Sequence, residues 1–178
     1  MREKWIVEAK KGDFNGLSAK LKVSPLAVRC LMNRGVESEQ EMRSFLYGTL
    51  DDLHDPFTMK GMNEAVQEIV QAREQGRKVA IASDFDCDGI FSAYILWKGF
   101  QRIGLDSEIF TPDRVKEGYG LNRRIVDEAL AGGRDFLVTC DNGIAANEEV
   151  DYAKKLGMTV IVTDHHEVQD QIPPADVV

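Results

Sequence analysis

Three short apolar runs, at residues 79–82, 136–140 and 160–163, each end in carboxylate or imidazole side chains. The residues at the three ends are Asp84, Asp86 and Asp88, then Asp141, and finally Asp164, His165 and His166. In an open α/β sheet the carboxyl ends of the strands share one edge, and ligands bind at that edge. We therefore expect these residues to converge on one acidic cluster, for which a divalent metal ion is the natural counter-charge.

The ligand types favour Mn²⁺ over Mg²⁺, because Mg²⁺ prefers oxygen and the cluster mixes carboxylates with imidazoles. Asp84 and Asp86 are two residues apart, so in an extended backbone their carboxylates face the same side. One or two ions held there would activate a water molecule and bind a phosphoryl oxygen. The alternative is that each Asp only caps a helix at a strand-to-helix turn. The repetition of the pattern at three junctions favours the metal site.

Alternating strand and helix patterns position these residues. Strand-like runs occupy residues 78–83, 107–110, 135–140 and 158–163, and helix-like runs occupy residues 62–75, 90–103, 122–130 and 145–156. Strands separated by helices of this length indicate βαβ units and a parallel sheet. We predict an α/β domain over residues 56–178, with helices on both faces of a parallel sheet.

Residues 1–55 are predicted to form a separate, short helical segment. Ser24 followed by Pro25 is typical of a helix start, and Gly35 is typical of its end. Residues 38–41 match a capping box, which opens a second helix.

The composition excludes several classes of protein. The chain has 178 residues, of which 43% are hydrophobic and 29% charged, so we expect a packed domain with a small appendage. No apolar run is long enough to span a membrane, and the N-terminus lacks a signal-peptide pattern. The formal net charge of −8 argues against a surface that binds nucleic acid throughout.

The three cysteines are odd in number and widely spaced, which argues against a disulfide framework and favours a reducing cytoplasm. Cys30 and Cys140 lie in apolar runs and are expected in the core. Cys87 is surrounded by carboxylates, which raise a thiol pKa, so we expect it to pack rather than to react.

The segments D-F-D-C-D-G at 84–89, D-N-G at 141–143 and D-H-H at 164–166 resemble the motifs of the DHH phosphoesterase superfamily. Their order and spacing, together with E-G-Y-G-L at 117–121, resemble the RecJ family of bacterial exonucleases, which digest single-stranded DNA from 5′ to 3′. The resemblance extends over nearly the whole chain. It implies a metal-dependent hydrolase of phosphodiester bonds that acts in DNA repair and recombination.

The resemblance implies catalytic roles for five residues of the cluster. Asp84, Asp86, Asp141 and His165 resemble ligands of one or two Mn²⁺ or Mg²⁺ ions, with Asp141 bridging the two. His166 resembles a further ligand or a contact to the scissile phosphate.

Four other residues are expected to support the site. Asp164 is expected to orient the histidines, and Asp88 to fix its loop and cap the following helix. Arg114 is a candidate contact to a phosphate of the substrate, and Tyr119 is a candidate for stacking on a base.

The chain departs from the superfamily in two respects. The inorganic pyrophosphatases of the superfamily carry a histidine four residues before the first Asp, where this chain has Ala80, which argues against that activity. The family also has a later metal-binding Asp and a second domain that grips the substrate, and neither is in this sequence. Because residues 172–178 resemble the start of another strand, we expect a domain cut short at its C-terminus, the N-terminal part of a longer enzyme, nearly inactive in isolation.

Two other functions remain open. The first is a DHH phosphodiesterase that acts on short oligonucleotides or cyclic dinucleotides, and the second is a non-catalytic DHH scaffold that binds partners. Intact candidate ligands argue against the scaffold, because a scaffold has no reason to hold carboxylates together. The expected partners are single-stranded DNA and other DNA repair proteins, with no membrane, and the chain is expected to be a cytoplasmic monomer.

Overall fold

A four-stranded parallel sheet organises the larger of the two units into which the chain divides. The structure, a computed structural model, describes residues 4–6, 8 and 10–178, and its two units are Met1–Asp55 and Pro56–Val178. The strands are β1 (Val79–Ser83), β2 (Ser107–Phe110), β3 (Phe136–Cys140) and β4 (Thr159–Thr163). Their order in the sheet is β2-β1-β3-β4, and all three pairings are parallel.

Helices cover both faces of this sheet, which confirms the predicted fold class. The helices are α4 (Met62–Glu74), α5 (Cys87–Arg102), α6 (Arg123–Ala131) and α7 (Asn147–Lys155). Successive strand side chains point to opposite faces. Val79 and Ile81 accordingly pack in one core with α4 and α5, whereas Ala80 and Ala82 pack in a second core with α6 and α7.

The register of the sheet brings the three strand ends to one level. Ser83 pairs with Cys140, and Cys140 pairs with Thr163. Asp84, Asp141 and Asp164 therefore follow the matched last residues of three neighbouring strands. The convergence predicted from the apolar runs is a direct consequence of this register.

The tail of the chain returns to the edge of the sheet. Val177 forms a parallel bridge with Ile161 and is buried in the core shared with α4 and α5. The Asp176 carboxylate accepts a hydrogen bond from the backbone N–H of Val160 and is ion-paired with Lys154. These contacts agree with the strand-like character of the tail sequence.

The described residues of the smaller unit form the α-helices α1 (Phe14–Leu21), α2 (Pro25–Asn33) and α3 (Glu39–Tyr47), followed by a short 3-10 helix at Leu50–Asp52. Ser24 caps α2 by accepting a hydrogen bond from the backbone N–H of Ala27, and the predicted capping box opens α3. A separate apolar core joins the helices through Leu21, Val28, Leu31, Met32 and Met42. In the described part of the chain, every helix is too short or too polar to cross a membrane.

Candidate metal centre

Asp84 and Asp141 bury carboxylate oxygens for which no hydrogen-bond partner lies within the described part of the chain. Asp84 is 1% exposed and Asp141 is 7% exposed. Both oxygens of Asp84 and Oδ2 of Asp141 are buried and unpartnered. An ionised carboxylate buried in this way costs several kcal/mol unless a counter-charge reaches it. The donor set therefore fits a divalent cation, which would supply that charge.

Asp86 performs the capping role that was predicted for Asp88. Its backbone is extended (φ −84°, ψ −174°), and its Oδ1 accepts a hydrogen bond from the backbone N–H of Gly89 at 3.0 Å. Helix α5 consequently begins at Cys87, three residues before the predicted helix. The prediction for Asp88 was wrong, because this residue already lies inside the first turn, with an exposed side chain.

Asp86 nevertheless remains close to the acidic cluster. The hydrogen bond from Gly89 holds the pKa of its carboxyl group below the ordinary value, and neighbouring Asp141 and His166 contribute to the same effect. The capping interpretation and the metal interpretation of this residue are thus compatible, since the cap engages Oδ1.

Cys87 is exposed at the start of α5, and Cys30 is exposed as well, so the packing roles expected for both were wrong, whereas Cys140 is buried as expected.

Gly89 allows the first strand end to pass close to α5. A β-carbon at this position would lie 2.3 Å from the backbone oxygen of Asp84. We expect Gly89→Ala to destabilise the larger unit by about 1–3 kcal/mol, because overpacking against a backbone atom forces the chain to shift. Gly99→Ala is the matched control in the same helix. Its β-carbon would meet no atom within 4 Å, and it should stabilise by about 0.5–1 kcal/mol. Urea denaturation measures both, and equal stability of the two variants would contradict this close approach.

Asp141 lies in a strained turn between β3 and α7. Its φ is +61°, a left-handed conformation that costs a residue with a side chain about 1–2 kcal/mol. The buried Asn142 side chain holds this turn by donating to the backbone oxygens of Ala82 (3.1 Å) and Cys140 (2.9 Å) and by accepting from the N–H of Leu121 (3.1 Å). Asn142 entered the sequence analysis only as part of the D-N-G motif, and its bridging of three chain segments was missed.

The two histidines face Asp141 and Asp164. His165 Nε2 lies 2.7 Å from Oδ1 of Asp141, and His166 Nδ1 lies 2.7 Å from Oδ1 of Asp164. Ligand atoms of Asp141, His165 and His166 all lie within 4.8 Å of one another. Since an ionised carboxylate only accepts hydrogen bonds, His166 Nδ1 carries the proton in its contact with Asp164.

The pKa values of the Asp141 and Asp164 carboxyl groups shift in opposite directions, because the two groups accept different hydrogen bonds. Burial raises the pKa of Asp141, although the hydrogen bond to His165 opposes this. Burial also raises the pKa of Asp164, but hydrogen bonds from Ile144, His166 and His165 outweigh it, and the net pKa is lowered. The hydrogen bond to Asp164 in turn raises the pKa of His166. Asp164 is thus an ionised carboxylate that fixes the His166 ring, in the place expected of a residue that orients the histidines.

Arg114 and Tyr119 lie beside the cluster on the segment between β2 and α6. The guanidinium of Arg114 lies 5.2 Å from the ring centroid of Phe85. The Phe85 and Tyr119 rings pack edge to face, with their centroids 6.4 Å apart. The acidic residues of the same segment pair with other cations, Asp113 with Lys116 and Glu117 with Arg124. Phe85 was missed by the sequence analysis, although it lies between the two candidate ligands of the first strand end.

The Tyr119 hydroxyl donates to the backbone oxygen of Asp141 at 2.7 Å and lies 3.2 Å from His166 Nε2. Burial, followed by the charges of the surrounding Asp residues, raises the pKa of Tyr119 to about 12. The four carboxylates responsible belong to Asp141, Asp84, Asp164 and Asp86. The structure thus places this hydroxyl beside Asp141 and His166 and within the field of Asp84, Asp86 and Asp164. Asp88 is exposed instead.

The larger part of the chain matches a known protein family. The model described as the DHH family, N-terminal domain, matches residues 78–178. The chain belongs to the DHH family. The match contains all three strand ends, and the predicted resemblance to this family is confirmed.

Several curated relatives of this DHH-family chain are single-stranded-DNA-specific exonucleases RecJ. The chain is 37% identical to the protein of Bacillus subtilis over 171 residues, which are 96% of this chain and 22% of that relative. It is 35% identical to the protein of Escherichia coli over 156 residues, which are 86% of this chain and 26% of that relative. The chain thus spans about a quarter of the length of these relatives.

Solved structures of RecJ share the fold. An exonuclease RecJ bound to manganese matches with a TM-score of 0.62 and 36% identity, over 66% of this chain and 30% of that chain. RecJ of Thermus thermophilus in complex with Mn²⁺ matches with a TM-score of 0.63 and 28% identity, over 91% of this chain and 22% of that chain. The relatives thus include metal-bound forms of the same α/β architecture.

Proposed function

We propose that this DHH-family chain is the metal-binding part of an exonuclease that hydrolyses phosphodiester bonds in single-stranded DNA from the 5′ end. In this proposal Asp84, Asp86, Asp141 and His165 hold one or two Mn²⁺ or Mg²⁺ ions. The observation that carries it is the pair of buried carboxylates, Asp84 and Asp141, whose unpartnered oxygens lie at the strand ends beside two histidines. The similarity to RecJ exonucleases supports single-stranded DNA as the substrate.

The residues of the site would have separate roles in the hydrolysis of a phosphodiester. A divalent ion, when bound, neutralises phosphate charge and lowers the pKa of a water molecule. His166, whose ring is held by Asp164, would contact the scissile phosphate. Arg114, supported by the Phe85 ring, would hold a phosphate of the strand and so position it.

A chimera gives the sharpest test of this function. Because the chain aligns with 171 residues of the B. subtilis RecJ, it can replace that segment of the relative. We expect the chimera to degrade single-stranded DNA in Mn²⁺ and to leave duplex DNA intact, with products that identify 5′-end attack. A folded, Mn²⁺-binding chimera that leaves single-stranded DNA intact would contradict the proposal.

Arg114→Gln should raise the KM of this chimera for single-stranded DNA by about 10–100-fold, because a charged hydrogen bond to phosphate contributes about 1.5–3 kcal/mol. The kcat should change less, since Arg114 is assigned to binding rather than to proton transfer. Arg73→Gln, which removes the same charge from the last turn of α4, is the control and should leave KM unchanged. Steady-state kinetics separates the two constants, and an unchanged KM in Arg114→Gln would remove this residue from the substrate site.

A phosphodiesterase for short oligonucleotides or cyclic dinucleotides is the second candidate, and one observation favours it. A cavity of about 460 Å³ opens beside His166, between the segment at Tyr119 and the start of α7. Its size is within the range of small-molecule pockets. Dinucleotide hydrolysis that exceeds hydrolysis of long strands would favour this candidate over the exonuclease.

We also propose that the protein is a cytoplasmic monomer with DNA repair proteins among its partners. The free state of Cys30, Cys87 and Cys140 supports a reducing compartment. Analytical ultracentrifugation of the chain measures its mass in solution and so tests whether it is a monomer.

A further inference from the structure

Tyr119 connects the segment that carries Arg114 to the turn that carries Asp141. Its hydroxyl has one proton, which it donates to the Asp141 backbone oxygen at 2.7 Å. Its ring packs edge to face with the rings of Phe85 and His166, at centroid distances of 6.4 Å and 5.7 Å. The contact to Asp141 spans 22 residues of sequence, so it depends on the fold of both segments.

The segment that presents Tyr119 is itself well anchored. The Glu117 carboxylate accepts hydrogen bonds from the backbone N–H of Asp113 at 2.7 Å and from the Arg124 guanidinium at 2.8 Å. On the far side of Tyr119, the N–H of Leu121 donates to the Asn142 side chain at 3.1 Å. The segment is therefore anchored on one side of Tyr119 by its own contacts and on the other side by the turn that contains Asn142.

Asp141 has a specific need for such support. Its φ of +61° belongs to the left-handed region, which costs a residue with a side chain free energy that surrounding contacts must offset. The Asn142 side chain holds the turn by donating a hydrogen bond to the backbone oxygen of Cys140. The Tyr119 hydroxyl holds the Asp141 carbonyl itself, to which it donates a second hydrogen bond. This backbone conformation sets the point and angle at which the Asp141 side chain leaves the chain.

We infer that Tyr119 is a positioning residue for the metal site, whose hydroxyl fixes the Asp141 turn so that its carboxylate meets the ion. The inference rests on the proposed metal-binding function. It differs from base stacking, which the aromatic ring alone would provide. Tyr119→Phe separates the two roles, because phenylalanine keeps the ring and loses the hydroxyl.

The test measures Mn²⁺ binding to the 178-residue chain by electron paramagnetic resonance of the free ion. We expect Tyr119→Phe to weaken Mn²⁺ binding by about 10–100-fold, as for other groups that orient metal ligands. Tyr152→Phe is the matched control, because the Tyr152 hydroxyl also makes a short hydrogen bond, to Asp127 at 2.8 Å, away from the site. It should bind Mn²⁺ as the unmodified chain does.

A double variant shows whether Tyr119 acts through Asp141. In the Asp141→Asn background, Tyr119→Phe should cause no further loss of Mn²⁺ binding. Additive losses would overturn the inference, and so would unchanged Mn²⁺ binding in Tyr119→Phe. Loss of the folded circular dichroism spectrum in Tyr119→Phe, with Tyr152→Phe folded, would also overturn it, since the hydroxyl would then have a general structural role. If the unmodified chain fails to bind Mn²⁺, the proposed function itself fails.

Discussion

Replacing Asp141 with asparagine should reduce nuclease activity of the chimera by about a thousandfold or more. The change removes one candidate ligand charge at the centre of the cluster, and loss of a single group that stabilises transition-state charge already costs about 10²–10³ in rate. Asparagine is the suitable replacement because it tolerates a positive φ, which alanine does not. Turnover of labelled single-stranded DNA in Mn²⁺ measures the effect.

The fold of the Asp141→Asn chain should survive this change. Burial disfavours the ionised Asp141 carboxyl group, so a neutral side chain should leave the metal-free melting temperature unchanged or slightly raised. Asp151→Asn is the control, because it removes the same charge from a surface ion pair with Lys155. Near-normal turnover of Asp141→Asn would contradict the assigned role, and so would loss of activity in both variants.

Adding Mn²⁺ should raise the melting temperature of the larger unit by about 5–10 °C. At a free concentration a hundredfold above Kd, a ligand that binds only the folded state stabilises it by about 2.7 kcal/mol. Each kcal/mol shifts the melting temperature of a domain this large by about 2–4 °C. The ion would also relieve the burial of unpartnered carboxylate oxygens on Asp84 and Asp141. Calorimetry with and without Mn²⁺ measures the shift, and EDTA should reverse it.

Asp84→Asn distinguishes this effect from general stabilisation by salt. The variant should be more stable than the unmodified chain without metal, because it removes a buried charge, and it should lose most of the Mn²⁺ shift. If Mn²⁺ raises the melting temperature of Asp84→Asn as much as that of the unmodified chain, the stabilising ions bind elsewhere. The same conclusion would follow if NaCl alone produced an equal rise.

Sequence patterns were sufficient to predict the sheet and the convergence of its ends. The alternation of apolar strands and helices predicted the parallel topology, and the structure adds the register that puts Ser83, Cys140 and Thr163 at one level. Once the strands are parallel neighbours, Asp84 and Asp141 must lie at one edge, whatever the details of the loops. This part of the site therefore depends only on secondary structure and strand order.

The remaining features depend on backbone conformation and on contacts between distant segments. Asp86 and Asp88 are both plausible caps in the sequence, and only the extended backbone at Asp86 decides between them. The left-handed conformation of Asp141 and its contact with Tyr119 leave no local pattern in the sequence. The E-G-Y-G-L segment contributes to the resemblance to RecJ, but the target of its tyrosine hydroxyl becomes visible only in three dimensions.

Anomalous diffraction at the manganese edge, from crystals of this chain grown with Mn²⁺, tests the central claim most directly. We predict a peak at the carboxyl edge of the sheet, within about 2.0–2.6 Å of carboxylate oxygens of Asp84 and Asp141 and in contact with His165. Asp141→Asn crystals should lose or weaken that peak. Strong anomalous density elsewhere on the chain, with none between the ends of β1 and β3, would contradict the account.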